Sequence, residues 1–354
     1  MIRAETKDVV IIGGGQSALA TAYFLRRESI NFVVLDANEI PGGAWTKTWD
    51  SLKLFSPKEY SSLPGWMMPP TKDAYPSKKE VINYLAEYEK KYGFDIRRPV
   101  AVKEVSFIDG TFHLETDGGS FFSKAIVSAT GNWSNPFIPH YKGVDVFEGV
   151  QIHSAFYKSA NDFKGKKVLI VGGGNSAAQI LAEVSKVANT LWVTKEPPEF
   201  LPDEVDGRYL FNLATRKYQA MLKGEVLEEA HDLTKIVMVD SVKEARERMV
   251  LKSKNPFDHV TRDSVVWSDG YEEKIDAIIW CTGFRANLKH LNSLGILEND
   301  EKMITVGPRS MKYPGLWFVG YGDWAGFAAA TLIGVQRWAK LTASEIKQYL
   351  ETHA

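Results

Sequence analysis

Short apolar runs punctuate the chain, and each ends against glycine or charge: "DVVIIG" from Asp8, "NFVVLD" from Asn31, "KVLIVG" from Lys167, "TLWVTKE" from Thr190 and "DAIIWCTG" from Asp276. Their β-branched content and length predict strands. Two of them run straight into nearly identical glycine turns, "GGGQSALA" at residues 13 to 20 and "GGGNSAAQ" at residues 172 to 179. An alanine-rich stretch with helical spacing follows each turn, so both read as strand, tight turn, helix.

The turns fit G-x-G-x-x-A, with Gly13, Gly15 and Ala18 in one and Gly172, Gly174 and Ala177 in the other. The first glycine permits the sharp turn, the second lets backbone approach a pyrophosphate, and the small third residue lets helix pack close on strand. The helix N-terminus then offers free N–H groups and a positive dipole end to the phosphates. An acidic residue at the end of the next strand, about 20 residues on, would hold a ribose hydroxyl. The first copy has Asp36, 23 residues after Gly13. The second has Thr194 and Lys195 there, and a basic side chain suits a 2′-phosphate. The first site is therefore expected to hold an adenine dinucleotide without that phosphate, and the second NADP(H).

The repetition extends further. "TDGGSFFSKAIVSATG" at residues 116 to 131 parallels "SDGYEEKIDAIIWCTG" at residues 268 to 283, each an Asp-Gly turn feeding an apolar strand that exits at Thr-Gly. Two copies of one plan predict an α/β protein of two Rossmann-like dinucleotide-binding domains. A further strand at "GLWFVGYGDWAG" from Gly315 has no place in the second copy, so the second domain is expected to be inserted into the first. The boundaries read 1–150 and 284–354 for the first domain, 160–283 for the second, and 151–159 for a linker. Residues 197–260 read as a helical excursion within the second domain.

Composition narrows the partners. Hydrophobic residues make up 44% and charged residues 25%, and the formal net charge is -1, so no broad positive field invites nucleic acid or an anionic membrane. The apolar stretch "AGFAAATLIGV" is far short of the ~18 residues a bilayer span requires. With no signal peptide read at the N-terminus, a cytoplasmic protein acting on small molecules is expected. The single cysteine, Cys281, rules out an intrachain disulfide and a CxxC pair. The 7 histidines lack ligand spacing, so no metal site is expected.

Together the double turn, "PGGAW" at Pro41 to Trp45, "ATG" at Ala129 to Gly131 and "GD" at Gly322 and Asp323 resemble the two-dinucleotide-binding-domain flavoproteins. Phe147, Gly149, His153 and Tyr157 follow F-x-G-x-x-x-H-x-x-x-Y, which resembles the fingerprint of class B flavin-containing monooxygenases; the related Baeyer–Villiger enzymes usually have Trp at the position of Tyr157. "LKLFSPKEYSSLPGWMMP" from Leu52 is similar to a segment of the plant YUCCA group and its small bacterial relatives. The resemblance implies FAD in the first domain, held by Gly13, Gly15, Gln16, Ser17 and Asp36, with Gly43, Ala44 and Trp45 against the flavin, Val102 at the adenine and Asp323 at the ribityl chain. It implies NADPH on Gly172, Gly174, Asn175, Ser176 and Lys195, with His153 at the hinge. Many relatives carry Asn before their Pro-Lys pair, where this chain has Phe55 and Ser56 before Pro57 and Lys58. Asn132 is the remaining candidate donor for oxygen activation.

The implied reaction is reduction of FAD by hydride from NADPH, capture of O₂ as a C4a-(hydro)peroxyflavin and oxygenation of a small organic substrate. Trp45, Trp49, Phe55, Trp66, Trp324 and Phe327 are candidates for a dry wall around it. Two rivals stay open: an NADPH-dependent reductase or electron transferase with a disulfide, ferredoxin or flavodoxin acceptor, and a non-catalytic flavin-binding sensor. The missing CxxC pair disfavours the dithiol form of the first.

Overall fold

Residues 4–225, 235–296 and 305–353 are described in the computed structural model of the chain. The run opens β1 (Glu5–Ile12), α1 (Gln16–Arg27), β2 (Phe32–Leu35), α2 (Lys78–Tyr92), β3 (Ile96–Arg97), β4 (Val102–Ile108), β5 (Thr111–Thr116) and β6 (Gly119–Ser128). It continues β7 (Val150–His153), β8 (Lys167–Val171), α3 (Asn175–Val184), β9 (Asn189–Val193), α4 (Gly207–Leu222), α5 (Asp240–Glu247) and β10 (Ser253–Lys254). The last part holds β11 (His259–Val260), β12 (Ser264–Val266), β13 (Glu272–Lys274), β14 (Ala277–Trp280), β15 (Thr305–Val306), β16 (Arg309–Ser310), β17 (Leu316–Phe318) and α6 (Val335–Thr352).

Two parallel sheets share one plan. In the first, β3, β2, β1, β6 and β17 lie side by side and parallel; in the second, β10, β9, β8, β14 and β7 do the same. Each glycine turn leaves the central strand. Ile12 stands between Leu35 and Ser128, and Val171 between Val193 and Trp280. The tail strand β17 completes the first sheet after the whole second sheet has been made, as the inserted order predicts. The expected linker is in part something else: its first residues form β7, the edge strand of the second sheet, paired to β14 from Ala277↔Val150 to Trp280↔His153.

The apolar runs are continuous because both sheet faces are covered. Alternate residues of β1 enter different cores: Val9 and Ile11 meet α1, α2 and α6, while Val10 and Ile12 meet β4, β5 and residues 288–296. The second sheet is split the same way, Val168 and Ile170 facing α3 and α5, Leu169 and Val171 facing the β11–β13 side.

The excursion after residue 197 does not stay within the second unit. Helix α5 packs on α3, but α4 turns Phe211 and Ala214 onto Phe55, Tyr60, Ala328 and Ile333 of the first unit. The Gly207 N–H donates to the Phe55 carbonyl at 2.9 Å, and Arg337 of α6 donates to Thr215 at 3.1 Å. Leu210, one turn before Ala214, is covered by Leu201, Val205 and Val237. The apolar face of α4 thus touches both its own segment and the first unit.

Candidate active site

The two turns make matching contacts. The Gly13 N–H donates to Leu35 at 2.8 Å and the Gly172 N–H to Val193 at 2.9 Å. Gly13 has φ +105° and Gly172 φ +134°; a Cβ would stand 2.6 Å from the Ala129 carbonyl oxygen in one and 2.2 Å from that of Cys281 in the other. Only glycine satisfies both constraints. Gly15 and Gly174 are the N-caps of α1 and α3, and neither helix has a side-chain cap or an acidic residue in its first turn. By contrast α2 is closed by a capping box between Ser77 and Glu80. The first N–H groups of α1 and α3 are thus left for another acceptor, which a pyrophosphate supplies.

A cavity of ≈ 520 Å³ opens at the carboxyl ends of β1, β2 and β6. It gathers Gly13, Gly15, Gln16, Ser17, Asp36, Gly43, Ala44, Trp45, Val102 and Asn132 from the residues singled out in the sequence, and reaches Ser176 across the interface. Gly172, Gly174, Asn175, Lys195 and His153 lie outside its described lining. Asp323 opens a short 3₁₀ turn, Asp323–Ala325, and its side chain lies outside the described residues.

Gln16 works as a brace: its Oε1 accepts from Trp45 Nε1 at 2.9 Å and its Nε2 donates to Ala330 at 2.7 Å. Asp36 is 1% exposed. Its Oδ2 accepts from Arg98 Nε at 2.6 Å, and its Oδ1 accepts from the backbone N–H and side-chain Nδ2 of Asn38. Asn132 donates to the Tyr321 carbonyl at 3.2 Å, which leaves its buried Oδ1 without a partner. An orphaned acceptor on a cavity wall fits a ligand that donates. Asn175 is tied elsewhere, its Oδ1 accepting from the Val237 N–H at 2.8 Å. Thr194 is buried and Lys195 exposed, with no ion pair to Lys195 among the described residues.

His153 is 1% exposed, so the hinge histidine is a buried one. Its Nδ1 accepts from the Ala155 N–H at 3.1 Å and its ring meets Phe284 edge-on. Burial lowers its pKa, against the raising effect of the Gly283 backbone. Tyr157, beside it in the fingerprint, donates to Glu183 at 2.9 Å, and the same carboxylate accepts from Ser51 of the first unit.

Several lining residues carried no signal in the sequence. Lys47, Lys103 and Lys289 line the cavity with Asp36 as its one carboxylate, so the described wall is cationic overall and suits a dianion. His290 also lines it, 6% exposed and bonded to Ser128 at 3.1 Å; burial pushes its pKa down to about 4, so it is neutral. Ser128 also meets Tyr321, whose hydroxyl accepts from the Thr130 N–H at 3.1 Å. These groups come from three separate segments, which a one-dimensional motif does not connect.

The expected aromatic wall divides. Trp45 and Trp49 line the cavity with Leu52 and Trp133, whereas Phe55 packs on Phe211 at 6.0 Å under α4. Trp66 sits in the core beside Tyr84 and Tyr88. Trp324 is 39% exposed and stacks on Tyr321, and the Phe327 carbonyl accepts from Trp338. Cys281 is buried and desolvation pushes its thiol well up, so it is no thiolate nucleophile.

Two strand–glycine-turn–helix units, the first opening into the cavity and the second reaching it through Ser176, fit an oxidoreductase with two nucleotide sites. The model of the pyridine nucleotide-disulphide oxidoreductase family matches residues 10–320. A flavin-containing monooxygenase from Stenotrophomonas maltophilia of known structure is 43% identical, with TM-score 0.90 and coverage of 98% of this chain and 99% of that one. The uncharacterized oxidoreductase CzcO of Bacillus subtilis is 30% identical over 88% of this chain and 91% of its own length. The indole-3-pyruvate monooxygenase YUCCA1 of Oryza sativa is 28% identical over 95% and 90%. The chain belongs to the pyridine nucleotide-disulphide oxidoreductase family, on its class B flavin monooxygenase side. It is a flavoprotein monooxygenase that works with a flavin and a pyridine nucleotide. No described helix is long and apolar enough to cross a membrane.

Proposed function

We propose that FAD binds the first unit and NADPH the second, and that the chain, in the cytoplasm, oxygenates a small organic substrate with O₂. In this reading residues 1–150 and 284–354 form the FAD domain and residues 160–283 the NADPH domain. The observation that carries it is the pair of uncapped helix starts: one opens into the cationic cavity beside the buried Asp36, and the other has Thr194 and the free Lys195 at the matching strand end.

Bound FAD would supply hydride acceptance from NADPH and oxygen activation; the protein supplies position and dryness. The N–H groups of α1 hold the pyrophosphate with the lysines as counter-charge, and Asp36 accepts from the ribose. The Gln16 brace holds Trp45 against the ring, and Asn132 Oδ1 accepts a hydrogen bond from the bound cofactor or substrate. Trp49, Leu52 and Trp133 exclude water on the side facing the second unit. Lys195 pairs with the 2′-phosphate. His153, outside the lining and neutral, keeps the hinge in register with β14.

The test is anaerobic reduction of the purified yellow protein by NADPH and by NADH, then rapid mixing with O₂ while the flavin spectrum is followed. A long-lived spectrum distinct from both the reduced and the oxidised flavin, after faster reduction by NADPH, is expected. Prompt reoxidation with full peroxide release, with and without candidate substrates, would instead favour the reductase reading.

A further inference from the structure

Asp36 does not act alone. Arg98 Nε donates to Asp36 Oδ2 at 2.6 Å, and its two terminal nitrogens donate to the Glu89 carboxylate at 2.8 and 2.6 Å. All three side chains are largely buried, at 1% exposure for Asp36, 13% for Arg98 and 11% for Glu89. Two carboxylates on one guanidinium give the triad one net negative charge.

A carboxylate has about four lone-pair sites. On Asp36 Oδ1 both are taken by Asn38, and on Oδ2 one is taken by Arg98. The remaining site belongs to the oxygen that lies against the first turn, where a Gly14 Cβ would stand 2.2 Å away. One ribose hydroxyl can therefore donate to Oδ2. A 2′-phosphate has no donor to give, and the guanidinium that would otherwise receive it is held on one edge by Asp36 and across its end by Glu89. At the equivalent strand end of the second unit Thr194 donates its N–H to Lys254, as Asp36 does to Arg97, and the residue after Lys254 is Asn255. Lys254 is engaged otherwise, its Nζ on Glu273, which also pairs with Lys167, and among the described residues no guanidinium joins Thr194 to a carboxylate.

We infer that Glu89 and Arg98 are specificity-determining positioning residues of the first unit: Glu89, by occupying the Arg98 guanidinium, keeps that cation from recruiting a 2′-phosphate and fixes Asp36 on a free ribose diol. This rests on the reading that the first unit holds FAD. It assigns the rejection of NADP-type nucleotides to a residue of α2 that never touches the ligand.

The test is FAD binding to apoprotein by flavin fluorescence, with 5′-ADP or adenosine 2′,5′-bisphosphate as competitor, so that only displacement at the first unit is read. Wild type is expected to favour 5′-ADP by about tenfold or more, the scale of one charge-assisted hydrogen bond. Glu89→Gln should shrink that ratio about tenfold, and Arg98→Gln should weaken FAD about tenfold. Displacement by 5′-ADP with a ratio unchanged in Glu89→Gln overturns the role of Glu89. A wild-type ratio near one overturns it even if the variant does not fold. If Asp36→Ala leaves FAD affinity unchanged, the first unit is not the FAD site and both readings fall.

Discussion

The two glycine turns share a backbone and differ in why they contain their middle glycine. In the first turn a Cβ on Gly14 would stand 2.2 Å from Asp36 Oδ2, so the absent side chain is what admits the carboxylate. In the second a Cβ on Gly173 would meet Thr194 no closer than 3.7 Å, an ordinary contact. The position falls outside the three-residue motif. It is dictated in one unit by the residue that recognises the ribose, and is open to change in the other.

The largest expected effect breaks that symmetry directly. Gly14→Ala must displace Asp36 from Arg98 and Asn38, and loss of such charged hydrogen bonds costs about 3 kcal/mol, or ~100-fold in FAD affinity. Gly173→Ala should stay within about 0.5 kcal/mol of wild type in stability and leave kcat/KM for NADPH nearly unchanged. Fluorescence titration of apoprotein and steady-state kinetics measure the pair. Equal losses in the two variants would mean that the turns, not their strand ends, set the requirement.

The strands that follow the turns also differ. Ser128 and Trp280 hold equivalent register positions, and behind Ser128 lies the buried His290, where the second unit packs Trp280 among apolar residues and ties its indole N–H to Gln151 at 3.2 Å. The pKa of His290 is pushed down to about 4 by burial, below the ordinary 6.5. The unfolded chain therefore takes its proton first as pH falls. The stability that a neutral His290 permits is fully present above pH 6.5 and is lost as pH falls toward 4. At pH 5 the loss is about 2 kcal/mol relative to pH 7. Urea unfolding at those two pH values should show wild type losing that much more than His290→Gln. The same loss in both would place the acid sensitivity elsewhere.

How much of this the sequence discloses depends on range. The turns, Asp36 and the Thr-Gly exits are visible because a strand, a turn and the next strand end lie within one repeat, and the two copies can be laid over each other. The return of the tail is legible because β17 is one apolar strand too many for the second copy. The triad is not legible: Arg98 stands 62 positions from Asp36 and 9 from Glu89, one just past an edge strand and the other on a helix, with no periodic reason to meet. The contact of helix α4 with the first unit is not legible, because helical spacing shows that a helix has an apolar face, not which surfaces cover it. His290 lies between Lys289 and Leu291 with no motif around it, and its place on the cavity wall comes only from β4 and β6 packing beneath it.

A smaller effect sharpens the contrast at the strand ends. With Lys195 on the 2′-phosphate of NADPH, Lys195→Ala should lower the NADPH over NADH preference in kcat/KM by about tenfold. Thr194→Asp, which copies the first unit's residue, should act in the same direction, while FAD affinity stays constant in both. An unchanged preference in Lys195→Ala would make that lysine a solvated surface residue and remove the charge argument from the second site.

The smallest effect concerns the junction of the units. Tyr321 spends its hydroxyl inside the first unit, on Ser128 and Thr130, whereas Tyr157 donates to Glu183, which also accepts from Ser51 across the interface. Glu183 thus joins the fingerprint segment, helix α3 and the loop after Trp49 through one carboxylate. Tyr157→Phe keeps the ring packed on Trp49 and Phe163 and removes only the donor, at an expected cost of about 1 kcal/mol. Ser51→Ala alone should cost less, its site being more exposed. The informative quantity is their interaction in the double variant, read by urea unfolding, since residues sharing one carboxylate couple by about 0.5 kcal/mol or more. Losses that simply add would show Glu183 serving each donor separately, leaving α4 and β7 to set how the two units meet.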